Sequence, residues 1–248
     1  MKDFYVDKFH IRLMNHNDLD EVKKVQTLRY NNLLKEYNPS LEIEGIDNDG
    51  YGDFSDSIVV IDTTKDFICG SYRLATMKTI KDKKFLMEEE YDITELKKSK
   101  ESFLELGRAV VHPDYRDGFL IQILFLAIYR YMIEYNLRYA IGLCSFHGNN
   151  PSAYKNGLSY LKKNYLFNDF NFRAVTNPFP LGDGEYDEAL AKEELPGLLK
   201  MYLKFGNRVS GEGSIDYSFN SCDVLMILDI KNINERYINH FNRLGIKE

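Results

Sequence analysis

In the stretch FLELGRAVVHPDYRDG, residues 103–118, Glu105 and Arg108 stand three residues apart inside an apolar run. Phe103, Leu104 and Leu106 accompany them on one side, and Ala109, Val110 and Val111 on the other. A carboxylate in such surroundings is a candidate proton acceptor, because a buried charge is too costly to keep unless it is paired or used. If the run is a strand, alternation puts Glu105 and Arg108 on opposite faces, so each needs a partner elsewhere. A second charged stretch lies upstream: the loop from Glu42 to Asp56 holds six acids (Glu42, Glu44, Asp47, Asp49, Asp53, Asp56) and no basic residue. Such a concentration repels itself unless cations neutralise it, and it suits either recognition of a cationic amino acid or a simply solvated loop. The run from Asp47 has the glycine of a calcium loop at the sixth place, but Tyr51 and Ile58 stand at its fifth and twelfth, where ligands are required. His112 and His147 have no metal-ligand spacing, and no metal is expected.

The elements that must position these groups follow from periodicity and punctuation. FHIRLMN alternates as a short strand, and NDLDEVKKVQTLRYNNLLKEY reads as a helix capped at Asn17 or Asp18. SIVVID and FICGSYRLAT are strands joined by a turn around Thr64-Lys65-Asp66, and KKFLMEEEYDITELKKS is a loop with a short helix. The strand FLELGRAVVH leads through PDYRDG into a helix from Phe119 to Tyr135, and RYAIGLCSF is the next strand. Beyond Asn150 come the helix SAYKNGLSYLKKNY, a strand around FRAVT, the helix AKEELPGLLKMYLKFG, the strand CDVLMILDI and a closing polar helix. TNPFPLGDGEY is the expected hinge or lid. One mixed α/β domain over residues 1–248 is the expectation, with a core at about 8–150 and a C-terminal elaboration at about 151–248.

The chain as a whole narrows the function classes. A net charge of -6 argues against nucleic acid as a partner, which calls for a basic face. The strongest apolar run, Phe119 to Ile133, is too short for a membrane span and contains Gln122 and Arg130. The N-terminal MKDFYVDKFH has no apolar core, so a cytoplasmic protein is expected. Cys69, Cys144 and Cys222 are isolated in apolar surroundings, which reads as buried free thiols.

The order strand, helix, loop, three strands, helix, strand resembles the GNAT acyltransferase fold: a mixed central sheet flanked by helices, here with a helical C-terminal elaboration. The motifs LRYNNLLKEY, GSYRL, ELGRAVVHPDYRDG and YAIGLCSF, with the acidic loop, look like the GNAT-like ornithine lipid N-acyltransferases, and more distantly like acyl-homoserine-lactone synthases. LPGLLKMYLKFGNRVSGEGSIDYSFNSCDVLMIL is similar to the segment those ornithine acyltransferases carry, so the resemblance spans roughly residues 10 to 230. It implies transfer of a fatty acyl group, often 3-hydroxylated, from acyl carrier protein to the α-amine of an amino acid, most readily ornithine, giving a lyso-aminolipid. No cofactor is expected to be held permanently; acyl carrier protein or coenzyme A thioester is the co-substrate. Acyl carrier protein and the acceptor are the implied partners, with peripheral contact at the inner face of a membrane for the lipid product.

Carried over by position, the charged residues shared with the lactone synthases are Arg29, Arg73, Glu105 and Arg108, with carboxylates offered by Asp47, Asp49, Asp53 and Asp56. Arg29 and Arg73 could meet Glu105 or the acidic loop. The loop before the long helix would receive the phosphate of pantetheine, through Arg116, Gly118 and the backbone of Val110 and Val111. Its glycine pattern is poorer than the family's, which leaves room for a donor held through its pantetheine arm and a carrier protein. The chemistry asks for a free amine, so Glu105 is the expected base, and backbone N–H groups along Ala109 to Val111 are the expected oxyanion donors. The competing readings are a lactone synthase, a coenzyme A acetyltransferase and a non-catalytic GNAT-like protein that binds acyl carrier protein or lipid.

Overall fold

The computed structural model describes residues 1–41, 45–244, 246 and 247, so Glu42 and Glu44 of the acidic loop lie outside the described residues. The chain divides into two compact units, one of residues 1–83, 104–137 and 235–248 and the other of residues 84–103 and 138–234.

The first unit is built on β1 (Phe4–Val6), β2 (Phe9–Leu13), β3 (Asp56–Asp62), β4 (Phe67–Thr76) and β5 (Phe103–Val111), hydrogen-bonded in that order. Every pairing among them is antiparallel. Helix α1 (Leu19–Arg29) begins where expected, with the Asp18 carboxylate accepting from the N–H groups of Asp20 and Glu21, both at 3.1 Å. It does not run on regularly: Tyr30–Leu34 widens into a π turn, a local irregularity that often accompanies functional side chains. Val25 of α1 packs with Val59 of β3 and Met14. Helix α2 (Phe119–Glu134) covers the other face, where Leu120 lies against Gly70. Burial of aliphatic side chains of this size contributes about 1.5–3 kcal/mol each.

That division decides where polar groups on the strands can go. Residues directly opposite one another across a pair share a face. Ser57 pairs with Arg73 and Val59 with Ser71, so all four face α1. Asp56, one residue earlier, faces α2, and its Oδ2 accepts from Tyr131 Oη at 2.7 Å. Arg73 also pairs with Gly107, which brings Glu105, two residues away, onto the α1 face.

The second unit has β6 (Tyr139–His147), β7 (Pro178–Pro180), β8 (Arg208–Asp216) and β9 (Ser221–Asp229), ordered β6-β9-β8-β7 with antiparallel pairings. Helices α3 (Lys155–Tyr165), α4 (Glu188–Glu194) and α5 (Gly197–Phe205) accompany it. The Glu194 carboxylate ties α4 to α3 by accepting from Asn156 Nδ2 and Gly157 N, both at 2.7 Å. The segment expected to be a hinge or lid contributes the three residues of strand β7, and RVSGEGSID, which shows no apolar alternation, is nine residues of strand. Its glycines are what permit this: a Cβ on Gly213 would lie 2.1 Å from the Phe179 ring that crosses it.

Candidate active site

Three arginines and two aspartates of the first unit converge on the α1 face of β3–β5. Arg29, the last residue of α1, is 6% exposed and donates from Nη2 to Ser57 Oγ at 2.9 Å and Ser71 Oγ at 3.4 Å. Burial, and then the neighbouring charge of Arg73, pushes its pKa down to about 10. Arg73, 3% exposed, pairs through Nη1 with Asp49 Oδ2. Arg108 reaches Asp47 Oδ2 from Nε at 3.0 Å and Asp49 Oδ2 from Nη2 at 3.2 Å. Burial opposes ionisation of Asp49, but Arg73 and Arg108 outweigh it and hold the carboxyl below its usual range. Two arginines therefore clamp the acidic loop, and Asp47 N–H donates to Gln26 O of α1 at 3.1 Å to fix it.

The placement of Arg108 corrects the alternation argument. Arg73 pairs with Gly107 and Ser71 with Val110, so β5 carries one residue more than β4 across this interval. Arg108 sits at that bulge with φ of 54°, a conformation few residues other than glycine adopt. The kink aims its guanidinium at the same Asp49 that holds Arg73, a residue on the Glu105 face. Glu105 and Arg108 are thus not separated by the sheet. The adjacent position is tight for a side chain, since a Cβ on Gly107 would come 3.2 Å from Arg73 Nη2, which would have to give way.

Glu105 is 5% exposed on this face. Asp53 stands exposed in the turn Gly52–Phe54, and Asp56 points to α2. Among their described contacts, neither joins the arginines. Val110 and Val111 pair with Ser71 and Gly70 of β4. Gly118 precedes α2, and Arg116 is engaged within the protein: its guanidinium reaches Glu36 Oε1 at 2.6 Å, Asn32 O at 3.0 Å and Val111 O at 2.9 Å. Ser57 and Ser71 were not singled out in the sequence, although Ser71 lies two residues before Arg73 and so shares its face by alternation. The thiols offer no nucleophile: burial raises Cys69 to about 12 and Cys222 to about 11, and pushes Cys144 up as well.

Residues 28–126 match a family described as an acetyltransferase (GNAT) domain, a span that holds Arg29, Arg73, Arg108, Glu105 and the aspartates of the acidic loop. The chain is 31% identical over 250 residues to the L-ornithine N(alpha)-acyltransferase of Rhodobacter capsulatus, covering 95% of each. It belongs to the L-ornithine Nα-acyltransferase family. It is therefore an acyltransferase, with a GNAT fold whose mostly antiparallel sheet is flanked by helices, as the sequence implied. The fold recurs in the AHL synthase LasI, at 12% identity and a TM-score of 0.51 over 91% of each chain. It recurs too in FeeM, an N-acyl amino acid synthase from uncultured soil microbes, at 8% identity and a TM-score of 0.52 over 90% of this chain and 93% of that one. Among the described residues, no helix of this acyltransferase is long and apolar enough to cross a membrane.

Proposed function

We propose that this acyltransferase moves a fatty acyl group, 3-hydroxylated or not, from an acyl carrier protein thioester to the α-amine of ornithine, giving a lyso-aminolipid. The observation that carries this reading is the near end-to-end match to an L-ornithine N(alpha)-acyltransferase. The geometry supports a division of labour. The amine nitrogen attacks the thioester carbonyl carbon, the carbon–sulfur bond breaks, and the thiol leaves. Glu105, buried on the face it shares with Arg73, accepts the proton that the ammonium must lose. Arg29, with a buried Nε that has no hydrogen-bond partner, is the guanidinium for the acceptor's α-carboxylate. The bulge leaves Arg108 and Ala109 outside the β4 register, so their backbone N–H groups are the donors for the developing oxyanion.

Arg73 and Arg108 then act on the acceptor indirectly, by holding Asp47 and Asp49 in place. The ion pairs also change the account of acceptor charge, because two of the loop's acids are already neutralised. Asp53 is the described acid left to meet the side-chain ammonium of ornithine, a single exposed contact worth about 0–1 kcal/mol.

The test is turnover of purified protein with acyl-loaded carrier protein or acyl-coenzyme A, against ornithine, glycine and S-adenosylmethionine, read by mass spectrometry. Ornithine with the carrier thioester should give the highest kcat/KM, and preference for S-adenosylmethionine would replace this reading with lactone synthesis. Glu105→Gln should lower kcat by roughly two to four powers of ten with donor binding retained. A folded variant of undiminished rate removes Glu105 from the chemistry.

A further inference from the structure

The second unit contains a carboxylate cluster that acyl transfer does not use. Glu90, Asp216 at the end of β8 and Asp223 in β9 each bring a carboxylate oxygen within 4.8 Å of the other two. Asp223 is 3% exposed, and its Oδ1 is buried with no hydrogen-bond partner; so is Oε2 of Glu90. Asp223 Oδ2 is fixed by Ser221 Oγ at 2.9 Å, and Asp216 Oδ1 by the N–H groups of Ser218 and Phe219 at 2.8 and 2.9 Å and by Ser218 Oγ at 2.6 Å. These contacts orient the acids toward one another but bring no positive charge. Among the described residues, no lysine, arginine or histidine forms an ion pair with any of the three.

A core strand with a buried carboxylate oxygen left unsatisfied is costly unless something occupies the space before it. We propose that the three acids bind a calcium-sized divalent cation. The donor set is all hard oxygen, which favours such ions over zinc or copper. Calcium takes oxygens at about 2.3–2.6 Å, so two ligands on opposite sides of one ion stand roughly 4.6–5.2 Å apart. The observed limit of 4.8 Å fits that span. A single shared proton would relieve one charge and leave two, whereas a dication answers most of the repulsion. The β-ladder supplies further oxygens on the same face: Asp223 pairs with Ser214 on one side and Ser145 on the other. The cation would brace β6, β8 and β9, a structural role separate from the arginine cluster of the first unit.

The experiment titrates chelator-treated, full-length protein with CaCl2 and with MgCl2, reading thermal unfolding and, separately, calorimetric binding. CaCl2 should raise Tm saturably, with MgCl2 raising it less. Asp216→Asn and Glu90→Gln, at the two half-buried acids, should each weaken calcium binding by at least about tenfold, since ligand charge sets affinity in such sites. Asp53→Asn, an acid of the other unit, should bind calcium as the parent does. The absence of a calcium effect on the parent overturns the site, as does an effect of equal size in Asp216→Asn and Glu90→Gln. A larger response to MgCl2 overturns the calcium-sized assignment. None of these readings depends on turnover, so failure here leaves the acyl-transfer proposal standing.

Discussion

Asp49 is the residue on which two arginines meet, and its ionisation is tied to the folded state. Its folded pKa lies below the ordinary value of 3.8 because Arg73 and Arg108 outweigh the penalty of burial. A depressed carboxylate contributes stability above its unfolded pKa and loses it as pH falls through the folded one. Parent and Asp49→Asn should therefore differ most in stability near neutral pH, and converge as pH drops below about 4. Urea midpoints across pH 3–7 measure this. A gap that is constant or widens toward acid would mean that Asp49 is not held as an anion by the two guanidinium groups. Arg29 contrasts with its neighbours: its buried hydrogen bonds go to serine hydroxyls, so its charge is the least compensated in the cluster and the most available to a ligand's carboxylate.

At the level of elements, the bulge in β5 does what a regular strand cannot. It turns the side chain of residue 108 toward the acidic loop and withdraws two residues from the ladder with β4. The positive φ of Arg108 carries a cost of about 1 kcal/mol or more for any residue with a Cβ. Arg108→Ala keeps that cost and loses both ion pairs, whereas Arg108→Gly loses the pairs and relieves the strain. The glycine variant should therefore be the more stable of the two by about 1 kcal/mol, and both should lose activity. Denaturant midpoints decide it, and an alanine variant equal to or above the glycine variant would show that the bulge relaxes without cost. The π turn after Arg29 works to the same end from the other side, since it ends the regular helix at the residue whose side chain must reach β3 and β4.

For the molecule as a whole, charge sets the terms of donor recognition. The chain carries -6, and a carrier protein that is itself acidic would be repelled unless a local basic surface steers it. The last turn of α3 supplies Lys162 and Lys163, whose ammonium groups lie 3.3 Å from Leu181 O and 5.5 Å from the centre of the Tyr186 ring. Neither contact is with a carboxylate, so for the proposed carrier-protein donor these ammonium groups are the docking candidates. Reversing both to Glu should reduce kcat/KM for the carrier thioester by about tenfold at low salt and flatten its salt dependence, while a small pantetheine thioester is used as before. Equal losses with both donors would assign these lysines to the fold alone.

The sequence by itself determined the class of fold, the capped first helix, the long apolar helix and the strands around SIVVID, FICGSYRLAT and CDVLMILDI, because each carries its own periodicity or punctuation. It also marked Arg29, Arg73, Glu105 and Arg108 as belonging together, through their resemblance to a known constellation. What it could not decide was direction. Alternation sent Glu105 and Arg108 to opposite faces, and only the cross-strand register exposed the extra residue that annuls it. The same register sent Asp56 to α2 and left Asp47 and Asp49 to the arginines. RVSGEGSID has too little apolar pattern to announce a strand; its neighbours on both edges impose one. Glu90, Asp216 and Asp223 are spread over 134 residues of chain, and no local pattern links them. Local propensity is written residue by residue, whereas charge partners are chosen by which strands lie side by side, and that choice is made only when the chain folds.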